Sequence, residues 1–385
     1  MHDYSDLLVE ASRDCCSWET LIKPSYCFGK QIKSLLSQIV TYKPINEENF
    51  YYEILSCYFL LPSALCKNLP LLFLHGGSGS GKSELSKFLA RLWNCPIYQP
   101  STTYAGLRND LDRRSKVLIE IPSEDSDIPL RKEVKANFFM IWDDIDPKLL
   151  HEKPDIFRML KVGCDRMSST IELSSERVGI NLKFDCFSPK VFSSIHDIPN
   201  MSDFAELKRR TITFRHYRSE VVNSNLIFAD DYDWAGLSER MQQFWNRQNA
   251  SEFLNWVKTI RESVYFRKTI PAYRRSIFLE VLACGLTTGV FDTIDDAIDA
   301  LKSFLILSDK EDEKRKDSLD QLLSKYLELN CSGEGQKVHN NQIVRQIERW
   351  VRDGDLPEKP LRGEFPRLMR QFGYYLNLNY WEKGG

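Results

Sequence analysis

The chain has 385 residues, 42% hydrophobic and 12% aromatic, with a formal net charge of −2. That length suggests two or three domains with ample core, and the composition excludes a disordered chain. Near-neutral charge makes no global claim on nucleic acid, so any polyanion has to be held by local patches or by a ring that focuses weak ones.

No stretch is long and apolar enough to span a bilayer; the nearest, "YYEILSCYFLLPSAL", is broken by Glu53 and Pro62. The opening residues "MHDYSDLLVEASRDCC" are acidic and short of apolar residues, unlike a signal peptide. Ten cysteines are scattered with no C-x-x-C spacing, which reads as reduced thiols in a cytoplasmic protein without a membrane partner.

Residues 1–66 carry helical periodicity in "FGKQIKSLLSQIV" and read as a helical leader. Residues 67–218 alternate apolar runs with amphipathic helices, the pattern of a parallel α/β sheet. The runs are 70–74, 96–99, 138–142, 190–195 and 211–217. An additional strand is expected at 116–122; the charged insert "SEDSDIPLRKEVKAN" that follows it has no assigned role. Residues 219–307 read as a helical lid region, and 308–318, dense in charge, as an exposed linker or helix end. Residues 319–385 carry three short helices and a strand, which suggests a winged-helix-like domain. Nine basic against six acidic residues over 337–385, with Arg362, Arg367 and Arg370 around the third helix, fit either a duplex DNA contact or a simple cap.

The stretch "LLFLHGGSGSGKSELSKFL" matches G-x-x-x-x-G-K-[ST] through Gly76, Gly81, Lys82 and Ser83, with Gly77, Ser78, Gly79 and Ser80 between. An apolar run precedes it, and Leu85, Phe88, Leu89 and Leu92 mark one face of a helix after it. Strand, glycine loop and helix are the context in which backbone N–H groups wrap phosphates. In it, Lys82 neutralises the β/γ oxygens and Ser83 holds Mg²⁺. The loop is expected to bind a nucleoside triphosphate, ATP with Mg²⁺.

About sixty residues further on, "FFMIWDDID" places Asp143 and Asp144 at a strand end. One carboxylate suits Mg²⁺ and the other an attacking water, whereas a plain alternative makes them caps of the next helix. "SPKVFSSI" brings Ser193 and Ser194 to the end of the next strand, where one hydroxyl would sit beside the γ-phosphate. "FAELKRRTITF" sets Arg209 and Arg210 at a helix end, either reaching a neighbour's nucleotide or simply solvated there. Between these motifs, Ser169–Leu173 and Ile180–Phe184 flank the turn "SSERVG", a hairpin on which Arg177 and Lys183 are candidate DNA phosphate contacts, or which is simply solvated and serves as a subunit contact.

In this order the motifs of residues 60–217 resemble the AAA+ ATPase module of superfamily 3-type helicases, in particular the phage- and plasmid-borne replicative, primase-associated ones. The resemblance rests on "LPLLFLHGGSGSGKSELSKFLA", "STTYAGLRNDLD", "WDDID", "FSPKVFSS" and "LKRRTITF", and covers about 40% of the chain. It implies a homo-oligomeric ring, a hexamer, that hydrolyses ATP and moves along single-stranded DNA. Asp144 and either arginine would be catalytic, with a separate primase or replication protein as partner. No primase domain is expected upstream, where nothing is large enough. Asp144 stands where many AAA+ proteins have Glu, and no Asn accompanies Ser193 and Ser194, both of which point to slow hydrolysis. The other reading is an ATP-dependent switch or remodeller acting on a partner such as a transposase, nuclease or defence effector.

Overall fold

The computed structural model describes residues 28–39, 50–123, 126–175, 180–200, 204–216, 232–330, 337–353, 360 and 363–383. These divide into two compact units, one drawn from 1–194 and 209–304, the other from 195–208 and 305–385.

In chain order the strands of the first unit begin with β1 Leu71–Gly76, β2 Ile97–Tyr98, β3 Lys116–Ser123, β4 Ser126–Lys135 and β5 Met140–Trp142. They continue with β6 Thr170–Ser175, β7 Ile180–Asp185, β8 Lys190–Ser194 and β9 Thr211–His216. The five expected apolar runs form one parallel sheet in the order β2-β5-β8-β1-β9. β1, β5 and β8 are buried along their whole length, which is why β1 and β5 read as largely continuous apolar runs, while β8 buries Lys190, Ser193 and Ser194 as well. Phe73 on β1 packs on Phe192 on β8 with ring centroids 4.8 Å apart, and Tyr51 meets Phe214 on β9 at 5.0 Å. The expected fold class, an α/β P-loop sheet with helices around it, is the one observed. Because all five strands are parallel, their carboxyl ends share one edge, the edge at which such sheets bind ligands.

Two hairpins stand apart from that sheet. β6 pairs antiparallel with β7, from Thr170↔Asp185 to Ser175↔Ile180, as expected. The strand expected at 116–122 does not extend the parallel sheet. It is β3, paired antiparallel with β4 from Lys116↔Lys135 to Ser123↔Ser126. The charged insert is therefore mostly the second strand of a ribbon. A ribbon paired only with itself imposes no hydrophobic alternation on its sequence, so the charged half carries no strand signature.

Helix Ala272–Thr287 packs on helix Phe50–Phe59 and carries a buried carboxylate. Glu280, 4% exposed, accepts the backbone N–H groups of Lys67 (2.7 Å) and Asn68 (3.0 Å), just ahead of β1. Burial, the largest influence, raises its carboxyl to about 7 against the pull of those two donors and Arg166. A carboxyl whose folded pKa exceeds its unfolded value binds protons more readily when folded. Its contribution to stability is then greatest below about pH 4.5 and declines as pH rises to about 7. Glu280→Gln is expected to flatten that decline, read as the melting-temperature difference between variant and parent across the window. Parallel curves would contradict it.

Helix Ile294–Asn330 gives its first part to this unit and the rest to the second. The stretch 308–318, expected as a linker or helix end, lies inside this helix. It contains no Gly or Pro, and Lys, Glu and Arg are good helix formers, so charge density alone does not break the helix.

In the second unit the end of that helix is followed by β10 Lys337–His339, helices Asn340–Asp353 and Glu364–Gln371, β11 Tyr374–Asn377 and β12 Tyr380–Lys383. The three strands form an antiparallel sheet in the order β10-β12-β11. Helix, strand, two helices and a two-stranded wing is the winged-helix order. Its core gathers Leu323, Ile343, Leu368, Met369 and Trp381. Arg367 and Arg370 are exposed on the third helix, and Arg362 lies outside the described residues.

Candidate functional site: a phosphate loop beside an acidic turn

β1 ends at Gly76, where the chain leaves the sheet under tight constraint. A Cβ there would lie 2.2 Å from the His216 carbonyl oxygen and 2.7 Å from Ser80 Oγ. Gly79 and Gly81 take left-handed φ of 76° and 89°, a conformation that costs glycine nothing. Gly77, Ser78 and Gly79 are exposed, while Ser80 is buried. Gly81 caps helix Lys82–Trp93 and, being glycine, places no capping side chain over the first N–H groups of this twelve-residue helix. Lys82 is buried and donates to the Gly76 (2.6 Å) and Gly77 (2.9 Å) carbonyls, which aims its ammonium into the loop. Ser83, the next residue, is exposed. Burial pulls the Lys82 pKa below the ordinary lysine value, and the charges of Asp144 and Asp143 act the other way. This donor set suits a triphosphate, and the acidic pair within electrostatic reach suits a divalent cation with it.

The strand order explains how the acidic pair is held. β8 lies between β1 and β5, with Leu74↔Ser193 and His75↔Ser194 in register, so the serines sit between the loop and the acidic turn. Ser193 Oγ donates to Asp143 Oδ1 (2.5 Å) and accepts the Asp144 N–H (2.9 Å), while Ile145 N–H donates to the Ser193 carbonyl (2.8 Å). One buried hydroxyl thus orients one carboxylate and fixes the backbone of the other. Its hydrogen bonds go to the acidic pair, between the loop and the turn, where the sequence predicts one hydroxyl beside the γ-phosphate. Ser194 is fully buried.

Asp144 has φ 59°, a left-handed conformation that aspartate tolerates better than most side chains, and it is exposed beyond the strand end. The helix cap that the sequence allowed for this pair falls instead to Asp146. Its carboxylate accepts the Lys148 N–H (2.7 Å) with Pro147 opening helix Pro147–Glu152.

Two further residues frame the site without a mark in the sequence. His216, opposite Gly76 in register, is pushed down to about 3 by burial and by the charges of Lys82 and His75. It is therefore neutral near pH 7. The Tyr98 carbonyl at the end of β2 accepts the Asp143 N–H (3.3 Å). Only the strand order reveals either, because nearness in the sheet is not nearness in the chain.

No family model and no curated protein matches the chain. Solved structures it is similar to include JCV Helicase bound to N-(4-(2-(thiazolo[5,4-c]pyridin-2-yl)phenoxy)phenyl)acetamide, at 13% identity over 60% of this chain and 65% of that one, TM-score 0.29. Others are the X-ray structure of JCV Helicase, at 13% over 72% of this chain and 60% of that one, TM-score 0.28, and the active helicase Cch of SCCmec type IV, at 10% over 88% and 67%, TM-score 0.36. The chain spans less than two thirds of the JCV helicase chains. What it does is read from its own loop, acidic turn and hairpin.

The remaining candidates lie away from that edge. Arg209 and Arg210 stand just before β9, at the amino end of the sheet, where the Arg210 carbonyl accepts the Leu71 N–H (2.8 Å). Arg210 also donates to the Lys161 carbonyl (2.5 Å). Lys183 is exposed on β7 and paired with Glu172 across the ribbon (2.8 Å), while Arg177 lies outside the described residues. Among the described residues no helix is long and apolar enough to cross a membrane.

Proposed function

We propose that this chain is an ATP-hydrolysing, helicase-type motor that works as a homo-oligomeric ring, a hexamer, on single-stranded DNA. Replication of a phage- or plasmid-like element, alongside a separate primase or replication protein, is the setting we assign it. The observation that carries the ATPase is the Ser193 hydroxyl holding Asp143 and the Asp144 backbone beside the Lys82 loop.

Backbone N–H groups from Gly77 to Ser83 would receive the phosphates, and Lys82 would turn from its loop carbonyls to the β/γ oxygens. The Ser83 hydroxyl and Asp143 would hold Mg²⁺, which neutralises charge on those oxygens. Asp144 would orient a water and take its proton as the water oxygen bonds to the γ-phosphorus and the bridge to the β-phosphate breaks. ADP and phosphate are released.

The hairpin β6–β7 supports the DNA reading, with Arg177 and Lys183 as phosphate contacts repeated around a ring. The Lys183–Glu172 pair favours a second reading, an ATP-dependent switch whose hairpin meets a protein, because at that rung the positive charge is already offset. Hydrolysis measured with and without single-stranded DNA separates them. Strong stimulation is expected, and its absence would make the switch the better reading. In Arg177→Ala/Lys183→Ala, DNA affinity should drop with basal turnover intact. The log–log salt slope should flatten by about 0.7 for each phosphate no longer neutralised. An unchanged slope and affinity would remove the hairpin from the DNA path.

A further inference from the structure

Helix Tyr104–Arg114 joins the hairpin to the catalytic turn. It is anchored by the buried Leu107 and Leu111 and opened by the Thr103 cap. Towards the hairpin, Asp112 Oδ1 accepts the Asp185 N–H (2.8 Å), and the Arg108 guanidinium lies 4.0 Å from the centre of the Phe184 ring. Asp185 and Phe184 are the root of the ribbon, with Asp185 opposite Thr170 and its carboxylate accepting Ser169 Oγ (3.0 Å) and the Phe187 N–H (2.9 Å). Towards the sheet, Asp110 takes the hydroxyl of Tyr98 and the Arg114 guanidinium (2.8 Å), and the Tyr98 carbonyl holds the Asp143 N–H (3.3 Å). The same helix carries the second ribbon. Asp112 pairs with Lys116 (3.1 Å) at the start of β3, and the Ser115 carbonyl accepts the Ala136 N–H (3.0 Å) just past β4.

We infer that helix Tyr104–Arg114 is the mechanical link through which nucleic acid on the hairpin reaches the acidic turn, with Asp112 as the positioning residue at the hairpin root. This rests on the hairpin being a nucleic-acid contact. The chain of bonds is continuous. Hairpin root to Asp112, Asp112 to Asp110 within one helical turn, Asp110 to Tyr98, and the Tyr98 backbone to Asp143 are each held by a hydrogen bond or by the helix itself. A displacement of the root by a bound strand moves a packed helix as a body, and that helix holds Tyr98, whose carbonyl accepts the N–H of the residue assigned to the metal. Interfaces of this kind shift between discrete arrangements rather than deforming smoothly. Asp112 touches neither the phosphate loop nor Asp143, so its part lies in transmission.

The test compares the parent protein, Asp112→Ala and Asp112→Asn, each titrated with a labelled oligodeoxythymidylate and assayed for hydrolysis over the same range. Asp112→Ala should bind the oligonucleotide and hydrolyse ATP without DNA like the parent, while its stimulation by DNA falls at least threefold. Asp112→Asn keeps an oxygen that can accept the Asp185 N–H, so it should recover most of the stimulation. Equal stimulation in Asp112→Ala and the parent overturns the link. Loss of DNA binding in Asp112→Ala also overturns it, because Asp112 would then only hold the hairpin's shape. A parent that binds no DNA, or is not stimulated by it, defeats the nucleic-acid reading itself, a separate result from a stimulated parent with an equally stimulated variant. If Asp112→Ala does not fold, Arg108→Ala loosens the same root and is judged by the same readouts.

Discussion

Lys82→Ala is expected to lose tight ATP binding while the protein stays folded, and Asp144→Asn to keep ATP binding while turnover falls by orders of magnitude. The lysine's bonds run to the Gly76 and Gly77 carbonyls of an exposed loop, so its removal costs about 1 kcal/mol of stability. Against the phosphates it is a point charge in a half-dry pocket. His216, opposite Gly76 in the sheet register, is held neutral by burial and by the charges of Lys82 and His75, so it does not take over that role. Asp144 is the opposite case: it is exposed and contributes a base rather than a clamp. Asparagine is the informative substitute because it adopts the left-handed backbone at φ 59° as readily as aspartate, whereas alanine there adds strain that mimics a catalytic loss. Removing the base should slow turnover by about 10²- to 10⁴-fold. A fluorescent-nucleotide titration with phosphate release measured in parallel decides the pair. Equal loss of affinity in both variants would transfer Asp144 from water activation to nucleotide binding.

How much of this was legible in the sequence depends on how local each signal is. The phosphate loop lies within eight consecutive residues, Gly76 to Ser83, and Gly76, Gly79 and Gly81 are required there by close approach or left-handed φ, so spacing alone locates it. The central strands β1 and β5 are the most legible, because burial on both faces writes nearly continuous apolar runs. Strand order is not written locally. That β8 separates β1 from β5 places Ser193 against both aspartates, and β9 on the other side of β1 places His216 against Gly76, neighbours that no spacing rule reports. Charge misleads in two places for the same reason. The insert paired as β4 and the segment 308–318 inside Ile294–Asn330 both carry dense charge, which marks contact with water and says little about backbone shape. In "WDDID" three aspartates have three surroundings. Only the folded chain assigns the helix cap to Asp146, the serine-bound carboxylate to Asp143 and the left-handed turn to Asp144.

Arg209→Ala is expected to cost on the order of 10³-fold in turnover with nucleotide binding nearly intact, the effect of removing an arginine that stabilises transition-state charge. The sheet restricts where such an arginine can act. β9 runs parallel to β1, with Leu71↔Thr211 at one end and Gly76↔His216 at the other, so Arg209 and Arg210 precede the end opposite the phosphate loop. Five residues at about 3.3 Å each separate the two ends by roughly 17 Å, beyond the reach of an arginine side chain into its own pocket. Any contribution to hydrolysis must then be made in a neighbouring copy. The two arginines also divide their work. Arg210 is engaged within its own chain, on the carbonyl of Lys161, so Arg210→Ala should lower stability more than catalysis. Arg209 is exposed beside it and is the one we assign to the neighbour. Mixing Arg209→Ala with Lys82→Ala protein makes the decisive measurement. Each is inactive alone, yet a mixed ring places an intact loop from the first beside an intact arginine from the second, and part of the activity should return. Rings that exchange subunits and stay inactive would leave Arg209 as a solvated helix-end residue, and the site would have to be complete within one chain.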